Sequence, residues 1–266
     1  MTYRKYEKVG EKVEAILETN ELTIQFGGHV AVEHVNVKVE RNQLMSIIGP
    51  NGAGKTTFFN LLSGQLKPTS GQVFFNGNDI THLSPTIRTR IGIGRSFQIT
   101  NVFPNLTCFE NVRLAAQSKA RIFFNSFSHV RRFKEIDKKA YEWLKLVLLE
   151  EKADEMAINL AHGEKRKLEI AMLLALETEL LLLDEPTAGM SLEEVPKILE
   201  VIKKIKNEGN RTILLIEHKI DMILDVSDRV IVLFNGKLLA DGRPEEIIEN
   251  EQVQSAYLGG MYNDAS

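Results

Sequence analysis

Residues 49–57 run Gly49, Pro50, Asn51, Gly52, Ala53, Gly54, Lys55, Thr56 and Thr57, which is the make-up of a loop that wraps a phosphate chain. Glycines let the backbone turn tightly enough for several N–H groups to face one anion, and a helix opening at the end of the loop adds partial positive charge. Lys55 stands where its ammonium reaches the β- and γ-phosphates of a nucleoside triphosphate. Thr56 places a hydroxyl one residue later, suited to a Mg²⁺ that also bridges phosphate oxygens. The apolar run 44–48 reads as a strand feeding this loop, and 56–62 as the helix leaving it.

A second chemical unit lies at 180–189, LLLLDEPTAG, where four apolar strand residues deliver two adjacent carboxylates to a strand end. In open α/β sheets that edge is where ligands bind. Asp184 suits Mg²⁺ support, through water or a hydrogen bond to Thr56, and Glu185 suits orienting the water that attacks the γ-phosphate.

The elements that must hold these groups fall into three stretches. From 16 to 98, strand candidates at 30–39 and 72–75 alternate with turn signals at Gly27-Gly28 and Asn76-Gly77. From 99 to 159 the pattern turns helical, with Thr107 and Glu110 as a capping box for a helix over 108–117, and Ala140, Leu144, Val147 and Leu148 at helical spacing. From 160 onward α/β alternation returns. The strand 180–183 precedes a helix capped by Ser191 and Glu194, with Val195, Ile198, Leu199, Ile202 and Ile205 on one face and Gly209 past its end. A strand at 212–216 follows, and 230–240 reads as a hairpin turning at Asn235-Gly236. Continuously apolar strands imply burial on both faces, hence a parallel sheet covered by helices.

Composition narrows the function classes. The 266 residues are 43% hydrophobic and 26% charged, enough to fill one or two cores. A net charge of −3 and a pI near 6.1 argue against a general polyanion binder, so nucleic acid is not the expected partner. The single cysteine, Cys108, forms no internal disulfide and joins no zinc-ligand cluster, which fits a reducing compartment and a packing role. No apolar run approaches the roughly 20 residues of a membrane span. Charges scattered through 1–20 do not resemble a secretory signal, so a cytoplasmic location is expected.

Taken together, these motifs resemble the ATP-binding subunits of ABC transporters. The resemblance implies an α/β fold: a P-loop NTPase (RecA-like) core with an antiparallel β subdomain and an inserted α-helical subdomain. The expected layout is one ABC ATPase domain over 1–266, with an N-terminal extension 1–15, the core with its β subdomain at 16–98 and 160–250, the helical subdomain at 99–159 and a tail at 251–266. Gln98, ending RSFQ, matches the glutamine that senses Mg²⁺ and the attacking water; His218, ending LLIEH, matches the histidine that contacts the γ-phosphate. Phe26, in IQFGG, matches the aromatic that stacks on adenine. The implied ligands are ATP and Mg²⁺, with Thr56, Gln98 and Asp184 as the metal's protein donors.

The family's signature loop, usually LSGGQ, falls at 160–164 and departs from it at Ala161, His162 and Glu164. Without the serine hydroxyl, γ-phosphate recognition leans on Gly163, backbone N–H groups and the following helix. In the family this loop completes the ATP site of the opposite subunit, which implies an ATP-sandwich dimer with a second ABC ATPase subunit, identical or related. Ser191 stands where the family's interface loop carries aspartate.

The stretches FGGHVAVEHVNV, RSFQITNVFPNLTCFENV, LAHGEKRKLEIAMLL, DEPTAGM and DGRPEEIIENEQVQSAYLG narrow the resemblance to ATPases of branched-chain amino-acid importers. Relatives serving amide or urea import look much alike, and lipid export or a soluble non-transport ABC ATPase stand as alternatives. Transmembrane permease subunits are the implied partners, at the cytoplasmic face of the membrane. Residues 102–111 are expected to receive them by family analogy. The basic and aromatic group Arg121, Phe123, Phe124, Phe127, Arg131, Arg132 and Phe133 either contributes or packs within its own subdomain.

Overall fold

The computed structural model describes residues 15–96, 102–120 and 130–256. Gln98, with Arg121, Phe123, Phe124 and Phe127, therefore lies outside the described residues. In chain order the elements are β1 (Ala15–Phe26), β2 (His29–Glu40), β3 (Leu44–Ile48), α1 (Lys55–Ser63), β4 (Ser70–Phe75), β5 (Asn78–Asp79), α2 (Pro85–Ile91) and β6 (Ile93–Arg95). There follow α3 (Cys108–Ala120), α4 (Val130–Leu146), α5 (His162–Ala175), β7 (Leu180–Asp184), α6 (Val195–Asn207), β8 (Thr212–Ile216), α7 (Ile220–Val226), β9 (Arg229–Phe234), β10 (Lys237–Gly242) and α8 (Pro244–Glu249).

Two sheets organise the chain. One is antiparallel, in the order β2-β1-β4-β5; the other runs β10-β9-β3-β8-β7-β6 and is parallel except for the β9–β10 hairpin. The apolar runs owe their continuity to this arrangement. Leu180 and Leu182 pack with α1 and the antiparallel sheet, whereas Leu181 and Leu183 face the helices α3 to α6 on the other side. Alternate side chains of one strand thus enter two cores. From α1, Phe58, Phe59, Leu61 and Leu62 are fully buried, each worth about 1.5–3 kcal/mol relative to exposure. That burial fixes the helix whose N-terminus carries the phosphate loop.

The far end of α1 is held by Arg88 of α2, only 1% exposed. Its five N–H groups donate to five carbonyls: Leu83, Leu61, Leu62, Ile80 and Thr81, at 2.6–3.2 Å. Two of these acceptors belong to the last turn of α1, where Leu61 O also takes the Gly64 N–H at 3.2 Å. Burial lowers the guanidinium to about 10, with Asp79 acting against the shift, so it stays cationic near neutral pH.

The helical layer forms at the expected place, but of Ala140, Leu144, Val147 and Leu148 only the first two lie within α4, and Leu148, with φ 59°, turns the chain away past its end. Thr107 N–H donates to Glu110 Oε2 at 2.9 Å and Glu110 N–H to Thr107 Oγ1 at 3.1 Å, closing the capping box of α3. Cys108 is fully buried and its thiol is pushed up to about 11, mainly by that burial, which makes it an inert packing residue. The tie from α4 to the strand-bearing part runs through Lys139 and Glu177, 2.7 Å apart, and through Trp143, over whose ring Arg211 lies at 4.8 Å.

The start of α6 also differs from the sequence reading. Ser191 does not cap α6; its N–H and hydroxyl both donate to Glu194 Oε2 at 3.1 Å, and the helix begins at Val195. Pro196, near the start of the helix, favours that later entry because proline lacks the N–H an interior position would need. Among the described residues no helix is long and apolar enough to cross a membrane.

Candidate active site

The phosphate loop joins β3 to α1 and is seated by two glycines. Gly49 has φ 151° and a Cβ there would meet Leu233 O at 2.1 Å; Gly54 has φ 95° and its Cβ would meet Ala31 O at 2.4 Å. Only a residue without a side chain lets the loop lie so close to β9 and β2. The loop's position is also fixed by Gly236 N–H to Ala53 O at 3.1 Å and Glu33 N–H to Gly236 O at 2.8 Å. Lys55 Nζ donates to Gly49 O at 2.7 Å and Pro50 O at 3.0 Å. Burial pulls the Lys55 ammonium below its ordinary value, and Glu185, then Asp184, act against that.

Asp184 ends β7 with 1% of its surface exposed. Its Oδ2 takes Arg95 Nη2 at 3.0 Å, and its N–H donates to Ser96 Oγ at 3.2 Å. Its Oδ1 is buried and has no hydrogen-bond partner among the described residues. Such an orphan costs free energy unless a ligand takes it up. Burial raises the Asp184 carboxyl, opposed first by Arg95. Arg166 of α5 reaches the Asp184 carbonyl and pairs with Glu169 at 2.6 Å, so the strand end is braced from the helical layer as well.

Glu185, one residue on, has φ 45°, a left-handed conformation that costs a non-glycine residue about 1–3 kcal/mol when it is held. Glu185 Oε1 lies 2.9 Å from His218 Nε2. The pairing follows from topology: β7 and β8 are parallel neighbours with Asp184 opposite Ile216, so the residues just past each strand emerge side by side.

At the signature segment, α5 begins at His162 with Ala161 as its flanking residue. Ala161 N–H donates to Glu164 Oε2 at 3.1 Å, the half of a capping box that alanine permits, and Glu164 also pairs with Lys152 at 2.6 Å. Gly163 N–H donates to Glu194 Oε1 at 3.3 Å, and His162 Nε2 sits 3.2 Å from Ala188 O. Within this chain, then, the signature loop engages the loop after β7. Phe26 is 49% exposed at the end of β1, beside the Gly27 turn.

Sequence reasoning missed Arg88, Arg95, Arg166 and Glu217. Arg88, Arg166 and Glu217 are buried, and the Arg95 side chain is 9% exposed. A charged residue inside an otherwise apolar strand or helix face, such as Glu217 directly after the run 212–216, was the available signal.

A phosphate loop between strand and helix, with adjacent carboxylates at the end of a neighbouring parallel strand, defines a P-loop NTPase, and the antiparallel sheet and helical layer give it the ATP-binding cassette form. A family model described as ABC transporter matches residues 32–188, and one described as Branched-chain amino acid ATP-binding cassette transporter matches 237–263. The chain is 41% identical over 249 residues to the high-affinity branched-chain amino acid transport ATP-binding protein BraF of Pseudomonas aeruginosa, covering 92% of this chain and 98% of BraF. It is 38% identical, with the same coverage, to LivG of Escherichia coli K12, which carries the same description. Among solved structures, the ADP conformation of MJ1267, an ATP-binding cassette of an ABC transporter, matches with TM-score 0.79 and 29% identity over 92% of this chain and 99% of that one. The dimeric post-hydrolysis state of the cassette MJ0796 bound to ADP and Pi matches with TM-score 0.72 and 28% identity over 86% and 98% of the two chains. The chain belongs to the ABC transporter family and is its ATPase component.

Proposed function

We propose that this chain drives an importer for branched-chain or similarly hydrophobic amino acids, seated on the cytoplasmic face of the membrane through permease subunits and paired with a second cassette, identical or related. The observation that carries the hydrolytic part is the contact between Glu185 Oε1 and His218 Nε2 at 2.9 Å, next to a loop whose lysine feels both Glu185 and Asp184.

In this reading the backbone N–H groups of 49–57 and the Lys55 ammonium bind the β- and γ-phosphates, leaving their present carbonyl partners to do so. Phe26 stacks on adenine. Glu185 orients and deprotonates the attacking water, while His218 holds Glu185 and faces the γ-phosphate. Gly163 N–H and the start of α5, with Ala161, His162 and Glu164 around them, complete the partner subunit's ATP site. The donor set near the phosphates suits Mg²⁺: a hydroxyl from Thr56, the unpartnered Oδ1 of Asp184, phosphate oxygens and water. Bound there, Mg²⁺ would neutralise charge developing on the β- and γ-phosphates. Gln98 joins it only by family resemblance.

The division into a core over 16–98 and 160–250 and a helical subdomain over 99–159 belongs to the same proposal. Support for permease docking comes from an apolar groove of about 330 Å³ between α3 and α5, lined by Phe103, Leu114, Ala115, Met172, Leu173 and Leu176. Phe103 and Leu114 are 53% and 41% exposed. Asn111, fully buried, fixes the adjoining loop by bonding Phe103, Leu106 and Thr107. Support for the cargo comes from the descriptions of BraF and LivG and from the match over 237–263.

The test is ATPase activity of the complete transporter in proteoliposomes with its own solute-binding protein. Leucine, isoleucine or valine should stimulate turnover and accumulate inside. Stimulation by urea or short amides alone would overturn the cargo assignment.

A further inference from the structure

Glu185 sits in a conformation it would not adopt by itself, with φ 45°, so something in the fold must hold it. Two backbone bonds contribute: Glu185 N–H to Ile216 O at 3.0 Å and Ala188 N–H to Glu185 O at 3.1 Å. Neither fixes the turn after Glu185 relative to the residue that carries His218.

The side chain that does so is Glu217, the first residue beyond β8, only 3% exposed. Its Oε1 accepts from Thr187 N–H at 3.1 Å and from Thr187 Oγ1 at 2.6 Å; its Oε2 accepts from His218 N–H at 3.0 Å. Thr187 is itself 2% exposed. One buried carboxylate therefore receives three donors, two from the turn that follows Glu185 and one from the backbone of His218. Bonds to a buried carboxylate are strengthened by its charge, the one from Thr187 Oγ1 at 2.6 Å being the shortest.

We infer that Glu217 is a positioning residue for ATP hydrolysis, clasping Thr187 and His218 so that Glu185 keeps its left-handed backbone and its carboxylate stays on the His218 ring. This rests on the reading of Glu185 and His218 as the hydrolytic pair. Glu217 touches neither ATP nor water in this scheme. It acts through geometry: reacting groups displaced by about 1 Å lose about 100-fold in rate.

Glu217→Gln keeps the shape but puts an amide NH₂ against an N–H donor whichever way it is turned. In the assembled transporter this variant should bind ATP within about twofold of the parent, while single-turnover hydrolysis falls about 10- to 100-fold. Glu217→Asp, which keeps the charge and shortens the reach, should recover only part of the rate. Thr187→Val removes one hydroxyl donor with little change of volume and should lower kcat and not ATP affinity, which provides a test even if Glu217→Gln folds poorly.

The deciding measurement is a cycle with Glu185→Gln. If Glu217 works through Glu185, Glu217→Gln should reduce the residual single-turnover hydrolysis by less than about threefold in the Glu185→Gln background. Full multiplicative losses in rate, or a rate loss that merely follows the loss of Tm, would make Glu217 a structural brace and overturn the inference. Near-normal hydrolysis in Glu185→Gln and His218→Ala would overturn the assignment of the pair itself, and the inference with it. A crippled Glu185→Gln beside a fully active Glu217→Gln would sink the inference alone.

Discussion

Arg95 and Asp184 form a nearly buried ion pair, 3.0 Å between Nη2 and Oδ2, and the same guanidinium donates through Nη1 to Asn60 at 2.6 Å and Ser63 at 2.9 Å. It thereby joins the end of β6, the last turns of α1 and the carboxylate at the end of β7. With Oδ2 taken, Asp184 is turned so that Oδ1 is the oxygen left over. Arg95 also lines the apolar groove between α3 and α5, so one side chain borders both the groove and the nucleotide-side carboxylate.

Arg95→Met should therefore destabilise the protein by about 3–5 kcal/mol, because it leaves a buried carboxylate without its partner. The pH dependence follows from Asp184. Its folded-state value lies above the ordinary one, so the folded chain binds that proton more readily than the unfolded chain. Stability from this group is present at low pH and lost as pH rises through the folded value. Removing Arg95, which opposes the upward shift, moves that window higher. Urea midpoints should fall more for Arg95→Met at pH 7 than at pH 5, and an equal fall at both would refute the pairing's role.

Lys55→Ala and Glu185→Gln should separate binding from chemistry. The first removes the cation assigned above to the β- and γ-phosphates and should weaken ATP affinity about 100-fold or more. The second should bind ATP normally and lose nearly all single-turnover hydrolysis. Equilibrium nucleotide titration and rapid-quench assays read the two effects; a well-bound Lys55→Ala would remove the lysine from its assigned place.

Glu194 engages Gly163 N–H, a donor assigned above to a partner's γ-phosphate. Hydrogen bonds, led by that from Ser191 N–H, hold its carboxyl below the ordinary range, so it competes as an anion. In a Glu185→Gln background, Glu194→Ala should lower the ATP concentration needed for dimerisation about three- to tenfold, whereas ADP should not promote dimers. Light scattering against ATP concentration measures it, and an unchanged or higher requirement would contradict the competition.

Replacing Gly163 by a bulky residue should stop turnover in the assembled transporter, while Ala161→Ser should leave it intact or modestly raised through one added hydrogen bond worth about 0.5–1.5 kcal/mol. A fully active bulky variant would show that 160–164 is not the loop serving the opposite site.

Arg88→Met should cost about 3–5 kcal/mol in unfolding free energy, since carbonyls at the end of α1 and between Ile80 and Leu83 lose their buried donor. Thermal or urea unfolding is the measurement. A loss below about 1 kcal/mol would mean that water replaces the guanidinium.

Local signals carried much of this fold. The strands β3 and β8 fall at 44–48 and 212–216 because mostly apolar runs of strand length end there, at Gly49 and at the charged Glu217, and the β9–β10 hairpin turns at Asn235 and Gly236, both with positive φ. Thr107 and Glu110 named their own helix start for the same reason: both partners lie within four residues. Ser191 misled because the Glu194 carboxylate accepts its N–H and hydroxyl before the helix begins, and no periodicity reveals which way such a short loop closes. The nucleotide motifs were legible as residue types in order. Their supports were not: Arg95 meets Asp184 across 89 positions and Glu217 meets Thr187 across 30, distances at which spacing carries no information.

Trp143 is the sole tryptophan of the chain, and it stacks under Arg211 where α4 meets the segment leading into β8. Its indole thus lies across the seam between the helical layer and the parallel sheet. A shift of one layer against the other would change the distance from ring to guanidinium, and with it the environment of the chain's single indole. Tryptophan emission, followed without a label as nucleotide is added, would therefore report on that one contact.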